Sequence, residues 1–360
     1  MRLAYLFRSG RSDRLAENGP REFTYGYAEL AAQGADVAMF EESEFGLARE
    51  WPRPVEAIAN RASALLGTHP RTLWALYRGR RKFAGFGAIV ATNHTLGLAL
   101  SLLHRLGLVA ARPVLLTMGL VEPQDNAVRL AWLRWLLRDT VLAALSKSEA
   151  QHLRAAFSDG TLDIRDFVFG VDLDFWKPDS NVGTGDEILS VGNDPKRDFA
   201  TLIAAWRPEF PILTLITALP VANDKSNIRI ERGDWRNAAI SDADLRARLQ
   251  RARLVVVPLQ NTLQPSGQSA ALQAMACARP VVLSANRGLW DRPQIERHAA
   301  ALLVPPGDPA ALAAAVAQML AAPDAAAAMG RRARNMLEHE NVSSAAMATQ
   351  IQYLAASLRA

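Results

Sequence analysis

Ser190-Val191-Gly192-Asn193-Asp194-Pro195-Lys196-Arg197-Asp198 closes the apolar run Ile188–Val191 and precedes a helical pattern over residues 199–206. A short apolar run that ends on a glycine turn and leads into a helix is one junction of a parallel α/β sheet. The glycine lets another group approach the backbone closely, and Lys196 and Arg197 put two cations at the same turn. Further on, Gln264-Pro265-Ser266-Gly267-Gln268-Ser269 leads into a helical stretch over 270–278, and Arg279-Pro280 then opens the run Val281–Ser284. A glycine ahead of a helix leaves backbone N–H groups free, and the helix dipole favours negative charge there. Two such junctions in one half of the chain predict a diphosphate site.

The same alternation runs in both directions. Strands are predicted at Ile188–Val191, 212–216, Ile228–Glu231, Leu254–Val257, Val281–Ser284 and 301–304, with helices between them. Upstream, strands are predicted at Leu3–Phe7, 35–40, 88–92, 113–117 and 141–145, with helices at 23–32, 96–106 and 127–138. The polar stretch 180–186 separates the two series. At roughly 100 to 200 residues per domain, 360 residues make two domains. The expected fold is α/β: two Rossmann-like, doubly wound domains facing each other across a cleft.

Composition narrows the function classes. Half of the residues are apolar and 21% are charged, so the chain is globular rather than disordered or fibrous. The one cysteine, Cys277, lies in an alanine-rich run and reads as a core thiol of a reducing compartment, which rules out disulfides and cysteine-rich metal sites. Residues 51–150 hold 13 Lys and Arg against 5 Asp and Glu, an excess of 8 beside a net charge of only +5 for the whole chain. That region could attract nucleic acid, anionic lipid or a phosphorylated substrate, and composition alone does not choose. Met1 to Arg8 carries a five-residue apolar run and no cleavage pattern, and no segment reaches the roughly 18 apolar residues that span a bilayer. A cytoplasmic protein is expected, with a membrane surface open as a partner.

From Gly170 onward the motifs follow a familiar order. Gly170-Val171-Asp172 with Trp176 and Pro178, the loop at 189–197, Gly267 with Leu272-Gln273-Ala274-Met275-Ala276 and Arg279-Pro280-Val281-Val282, and Val304-Pro305-Pro306-Gly307-Asp308 resemble the GT-B-fold retaining glycosyltransferases of family 4, group 1. Asn18-Gly19-Pro20-Arg21-Glu22-Phe23 resembles that family's glycine-containing loop after the first strand. The resemblance implies an acceptor-binding domain at 1–170, a nucleotide-sugar-binding domain at 171–342 and a helix at 343–360 that packs back on the first domain. It also implies transfer of a sugar, with retention, from a nucleotide-diphosphate sugar to a hydroxyl, with no cofactor and no metal. Lys196 and Arg197 would hold the diphosphate and stabilise the charge of its departure. Gly192, Asn193, Ser266, Gly267, Gln268 and Gln273 would complete the donor site. Gly19, Met118 and Gly119 would form the acceptor-side loop, with His94 the nearest imidazole to the reacting centre.

The departures are as specific as the matches. The family's two signature glutamates are replaced here by Gln273 and by an acid-free 263–265, its loop arginine by Asn193, and its histidine after the 113–117 strand by Met118-Gly119. An amide can hydrogen-bond a hydroxyl but carries no charge to an oxocarbenium-like centre. A catalytically silent protein that binds nucleotide sugar or a partner is therefore the alternative to an active enzyme. Asp172-Leu173-Asp174 resembles a metal motif of the other glycosyltransferase fold, but its place in the Gly-Val-Asp segment argues against a metal site.

Residues 71–83 and 127–138 interleave cations with Trp, Tyr and Leu. One reading docks them on anionic lipid, which makes the protein peripheral on the inner face of a membrane, with a lipid-linked or saccharide acceptor. The other puts the aromatics in the core and the arginines in solvent. No nucleic-acid-binding module accompanies the charge, so nucleic acid is not an expected partner.

Overall fold

The computed structural model describes residues 1–46, 51–233 and 240–358. Among them, the chain order gives strands β1 (Leu3–Phe7), β2 (Val37–Glu41), β3 (Ala88–Ala91), β4 (Arg112–Thr117), β5 (Val141–Ala144) and β6 (Asp163–Asp166). Six more follow: β7 (Ile188–Val191), β8 (Leu213–Ile216), β9 (Ile228–Glu231), β10 (Leu254–Val257), β11 (Val281–Ser284) and β12 (Leu302–Val304). The helices are α1 (Arg11–Ala16), α2 (Tyr27–Ala32), α3 (Arg53–Leu66), α4 (Pro70–Gly79), α5 (His94–Arg105), α6 (Ala127–Leu137) and α7 (Lys147–Ala156). The second series is α8 (Phe199–Ala205), α9 (Asp242–Arg251), α10 (Gln268–Ala276), α11 (Arg292–Arg297), α12 (Pro309–Ala321), α13 (Pro323–His339) and α14 (Ser344–Ser357).

The chain divides into two compact units, one of residues 1–169 with 345–360 and one of 170–344. Each holds one six-stranded sheet, ordered β2-β1-β3-β4-β5-β6 in the first and β12-β11-β10-β7-β8-β9 in the second. All pairings within both sheets are parallel. The strand order reverses between β1 and β3 in the first unit and between β7 and β10 in the second. At such switch points the loops leave the carboxyl ends of adjacent strands in opposite directions and open a crevice for ligands.

The strands form because they are apolar on both faces. All five residues of β1, and all four of β3, β5, β7, β8, β10 and β11, are buried. Polar side chains set several helix starts: Asn93 accepts from the Leu96 amide at 3.0 Å, Ser146 from Glu149 at 3.1 Å and Asp308 from Ala311 at 2.9 Å. Cys277 is buried at the end of α10, and burial pushes its thiol up to about 12, so it is a core residue.

Helices α1, α3, α4 and α7 add to those read from the sequence, and two further stretches differ from it. The helix expected over 23–32 is a short turn at Glu22–Thr24 and then α2, separated by Tyr25 and Gly26 in the left-handed region. Gly26 is needed there because a Cβ would lie 2.6 Å from the backbone of Ala348 in α14. β6, with the sequence Asp-Ile-Arg-Asp, was not expected as a strand. It is an edge strand, and its Arg165 and Asp163 pair with each other at 2.8 Å.

Candidate functional site

In the second unit the loops that follow β7 and β10 meet at the switch point. The Asp198 amide donates to the Pro258 carbonyl at 3.1 Å and the Gln260 amide to the Lys196 carbonyl at 2.9 Å, with a bridge between Arg197 and Leu259. The Ser266 hydroxyl donates to Asp194 Oδ2, and the Lys196 amide donates to Asp194 Oδ1 at 2.8 Å. Two loops some seventy residues apart in sequence are thereby joined into one surface.

The Arg197 guanidinium lies inside that surface. The residue is 6% exposed, and neither Nε nor Nη1 has a hydrogen-bond partner among the described residues. A Cβ on Gly192 would come within 2.3 Å of its Nε, and one on Gly267 within 3.1 Å of its Nη1. The two glycines are the walls of the guanidinium's niche. Burial pushes the guanidinium down to about 10, only partly countered by Asp194. A buried charge with open donors is costly, by several kcal/mol, unless an anion completes it.

The neighbouring groups fit an anion. Gly267, with φ 72°, caps α10, so the first amides of that helix lie at the same strand ends. Lys196 is half-buried, and its ammonium makes no ion pair among the described residues. Gln268 and Gln273 are buried on α10, the first at its amino end and the second further along it. Asn193 is turned to other work: its Nδ2 donates to the Gly233 carbonyl at 2.8 Å, and its Oδ1 accepts from the Ala218 amide at 2.5 Å.

The sequence reading missed Asn286, which follows β11. It is 3% exposed, and its Oδ1 has no partner among the described residues. Its Nδ2 reaches the Gln260 carbonyl at 3.5 Å, so it borders the same loop. The available signal was a polar residue two places beyond an apolar strand. Asp172 accepts from the amides of Asp174 and Phe175 at 3.1 and 3.2 Å, which makes the Asp-Leu-Asp stretch a capped turn. No cluster of three metal-ligating side chains occurs among the described residues.

In the first unit His94 starts α5, and its Nε2 accepts from the Met118 amide at 2.9 Å. That bond requires an unprotonated Nε2, in keeping with a ring pushed down to about 4 by burial and by Arg129. Glu149 of α7 holds the next two residues, with Oε1 accepting from Gly119 at 2.7 Å and Leu120 at 3.2 Å. Burial pushes Glu149 up to about 7 despite those bonds. His94, Met118 and Gly119 thus form one group at the ends of β3 and β4. Gly19 stands apart in the turn that closes α1, its amide donating to Arg14 at 2.9 Å. The glycine that directly follows β1 is Gly10, and the amides of Gly10, Arg11 and Ser12 are taken by the Glu41 carboxylate at 2.9, 2.7 and 2.7 Å.

Residues 225–322 match the family model described as glycosyl transferases group 1. No curated protein sequence matches the chain significantly. Among solved structures, sucrose-phosphate synthase from Thermosynechococcus elongatus superimposes with a TM-score of 0.72 at 21% identity, covering 99% of both chains. Anabaena HepE in complex with UDP-glucose matches with a TM-score of 0.68 at 14% identity, covering 99% of this chain and all of that one. The α,α-trehalose 6-phosphate synthase of Burkholderia multivorans matches at 0.66 and 12% identity, covering 99% and 98%. The second unit is therefore similar, over residues 225–322, to the group 1 glycosyl transferases, and the whole chain has the GT-B fold of two Rossmann-like domains.

Proposed function

We propose that this glycosyltransferase binds a nucleotide-diphosphate sugar at the switch point of its second unit and transfers the sugar, with retention and without a metal, to a hydroxyl acceptor. The observation that carries this reading is Arg197, buried between Gly192 and Gly267 with two guanidinium donors open. A diphosphate supplies the missing acceptors. As the bond from sugar to phosphate breaks, negative charge grows on the departing oxygens, and a fixed guanidinium, the Lys196 ammonium and the α10 amides stabilise it. These groups do in place what a divalent cation does elsewhere. Uridine is the first base to test, because HepE is seen with UDP-glucose. The acceptor domain is the first unit, with Gly19, Met118, Gly119 and His94 on the acceptor side. Its basic, aromatic segments suit a lipid-linked or saccharide acceptor at the cytoplasmic face of a membrane, in the assembly of envelope polysaccharide or glycolipid.

A second reading rests on the acid-free 263–265 and on Gln273: the protein holds a nucleotide sugar and performs no transfer. A panel of nucleotide sugars separates the two, with thermal shift reporting binding and released nucleoside diphosphate reporting turnover. The active enzyme gives both signals with one donor. Binding without release, across lipid-linked and saccharide acceptors, establishes the silent protein, and no binding overturns both.

A further inference from the structure

The first unit carries an apolar groove between α4 and the carboxyl end of α5. Its volume is about 550 Å³, and Trp51, Leu73, Trp74, Tyr77, Leu106 and Leu108 are among the side chains that line it. Trp74, Leu106 and Leu108 are 54%, 57% and 40% exposed, so the groove is open to solvent. Leu106 and Leu108 flank Gly107, in the turn just beyond α5. His94 is at the opposite end of that helix, which at 1.5 Å per residue puts about 18 Å between it and the Leu106 end of the groove.

Charge decides what the groove suits. Residues 70–83 hold five cations, Arg71, Arg78, Arg80, Arg81 and Lys82, and no acid. On α4, Arg71, Trp74 and Arg78 are spaced three and four residues apart and share one face. Arg78 and Arg81 are exposed and make no ion pair among the described residues, while Arg80 stacks over the Tyr77 ring at 4.2 Å. The nearby acids are already engaged: Glu44 with Lys82 at 3.2 Å, Glu56 with Arg71 at 3.9 Å and Asp139 with Arg105 at 2.6 Å. A second copy of this chain would set these cations against themselves, and a nucleic acid would leave the apolar groove unfilled. An anionic lipid answers both features, with an aliphatic chain for the groove and phosphate for the arginines.

We infer that the groove of α4 and the α5 turn is a docking site for an anionic lipid bilayer, taking one aliphatic chain between Trp74 and Leu106. The inference rests on the membrane-facing acceptor proposed above for its purpose, and on these residues for its chemistry. Co-sedimentation with phosphatidylglycerol and phosphatidylcholine vesicles at low salt tests it. The wild-type protein partitions at least about tenfold more strongly to phosphatidylglycerol. Trp74→Asp with Leu106→Asp removes that binding, as does Arg78→Glu with Arg81→Glu, a pair of exposed positions at which folding is not at stake. Three results overturn the inference: a wild-type protein that stays in the supernatant, an apolar pair that binds as the wild type does, or a wild-type dimer in light scattering that the apolar pair dissolves. Thermal shift with UDP-glucose on the same samples keeps the two proposals apart. Donor binding without vesicle binding sinks only the groove, and vesicle binding without donor binding sinks only the transferase reading.

Discussion

The two units are built on the same plan and treat their strand-end amides in opposite ways. In the first, the amides of Gly10, Arg11 and Ser12 beyond β1 are filled by the chain's own anion, Glu41 at the end of β2. In the second, the loop beyond β7 presents a buried cation, Arg197, with open donors, beside the amino end of α10, where the cap residue is Gly267 and no side chain caps the helix. One strand-end group of amides is closed by a carboxylate, while the other lies beside a buried cation whose Nε and Nη1 have no partner among the described residues. The proposed place for the anionic part of a donor, in the second unit, therefore rests on electrostatics as well as on motif order.

The strongest way to break this contrast is Arg197→Met, which keeps most of the volume and removes the charge. Nucleotide-diphosphate affinity falls by about 100-fold or more, the loss of two charge-assisted hydrogen bonds in a buried site. The ligand-free protein loses little thermal stability, because the substitution also removes an uncompensated buried charge. Calorimetric titration and a melting curve on the same sample read both effects. Unchanged affinity would mean that the phosphates bind elsewhere, and a collapse of the ligand-free fold would make Arg197 a structural residue.

A paired glycine experiment sharpens the contrast at lower amplitude. Gly192→Ala puts a Cβ within 2.3 Å of Arg197 Nε, so the guanidinium must shift and donor affinity drops by about tenfold. Gly10 has nothing within 4 Å of an added Cβ, and only its φ of 91° resists substitution. Gly10→Ala then costs about 1 kcal/mol of stability and leaves donor affinity alone. Equal effects on affinity at the two glycines would erase the distinction between the units.

What the sequence made legible follows from the range of the interactions involved. Runs such as Leu3–Phe7 and Leu254–Val257 are apolar on both faces, so their composition announces a parallel sheet covered on both sides. β6 hid because an edge strand with one covered face tolerates Asp-Ile-Arg-Asp. The break before α2 is dictated by Ala348, more than three hundred residues away, and no local window contains it. Gly192 and Gly267 could be read, since a glycine between a strand and a helix is a local signal. Lys196 and Arg197 could not be told apart, because which of them turns inward is set by the bridge to Leu259 on another strand's loop. The partners of the Asn193 side chain were hidden for the same reason: Gly233 and Ala218 follow other strands of the sheet.

The smallest expected effect tests the closed half of the comparison. Burial pushes the Glu41 carboxyl upward, but hydrogen bonds from the Ser12, Gly10 and Arg11 amides and the Ser12 hydroxyl outweigh it and hold the group below its usual 4.5. A carboxylate whose folded pKa is depressed adds stability that is present above the unfolded value and is lost as pH falls through the folded one. The first unit should therefore lose stability on acidification below about pH 4.5, as Glu41 is protonated and its charge on the three amides disappears. Glu41→Gln retains an oxygen for the amides and removes the charge. It should cost about 1 kcal/mol at pH 7, flatten the acid limb and leave nucleotide affinity unchanged. Chemical unfolding of both proteins between pH 3 and 7 measures the difference. If the variant instead gained affinity for inorganic phosphate or a nucleoside diphosphate, the first unit's amides would be a held-back anion site, and the assignment of the donor to the second unit alone would fail.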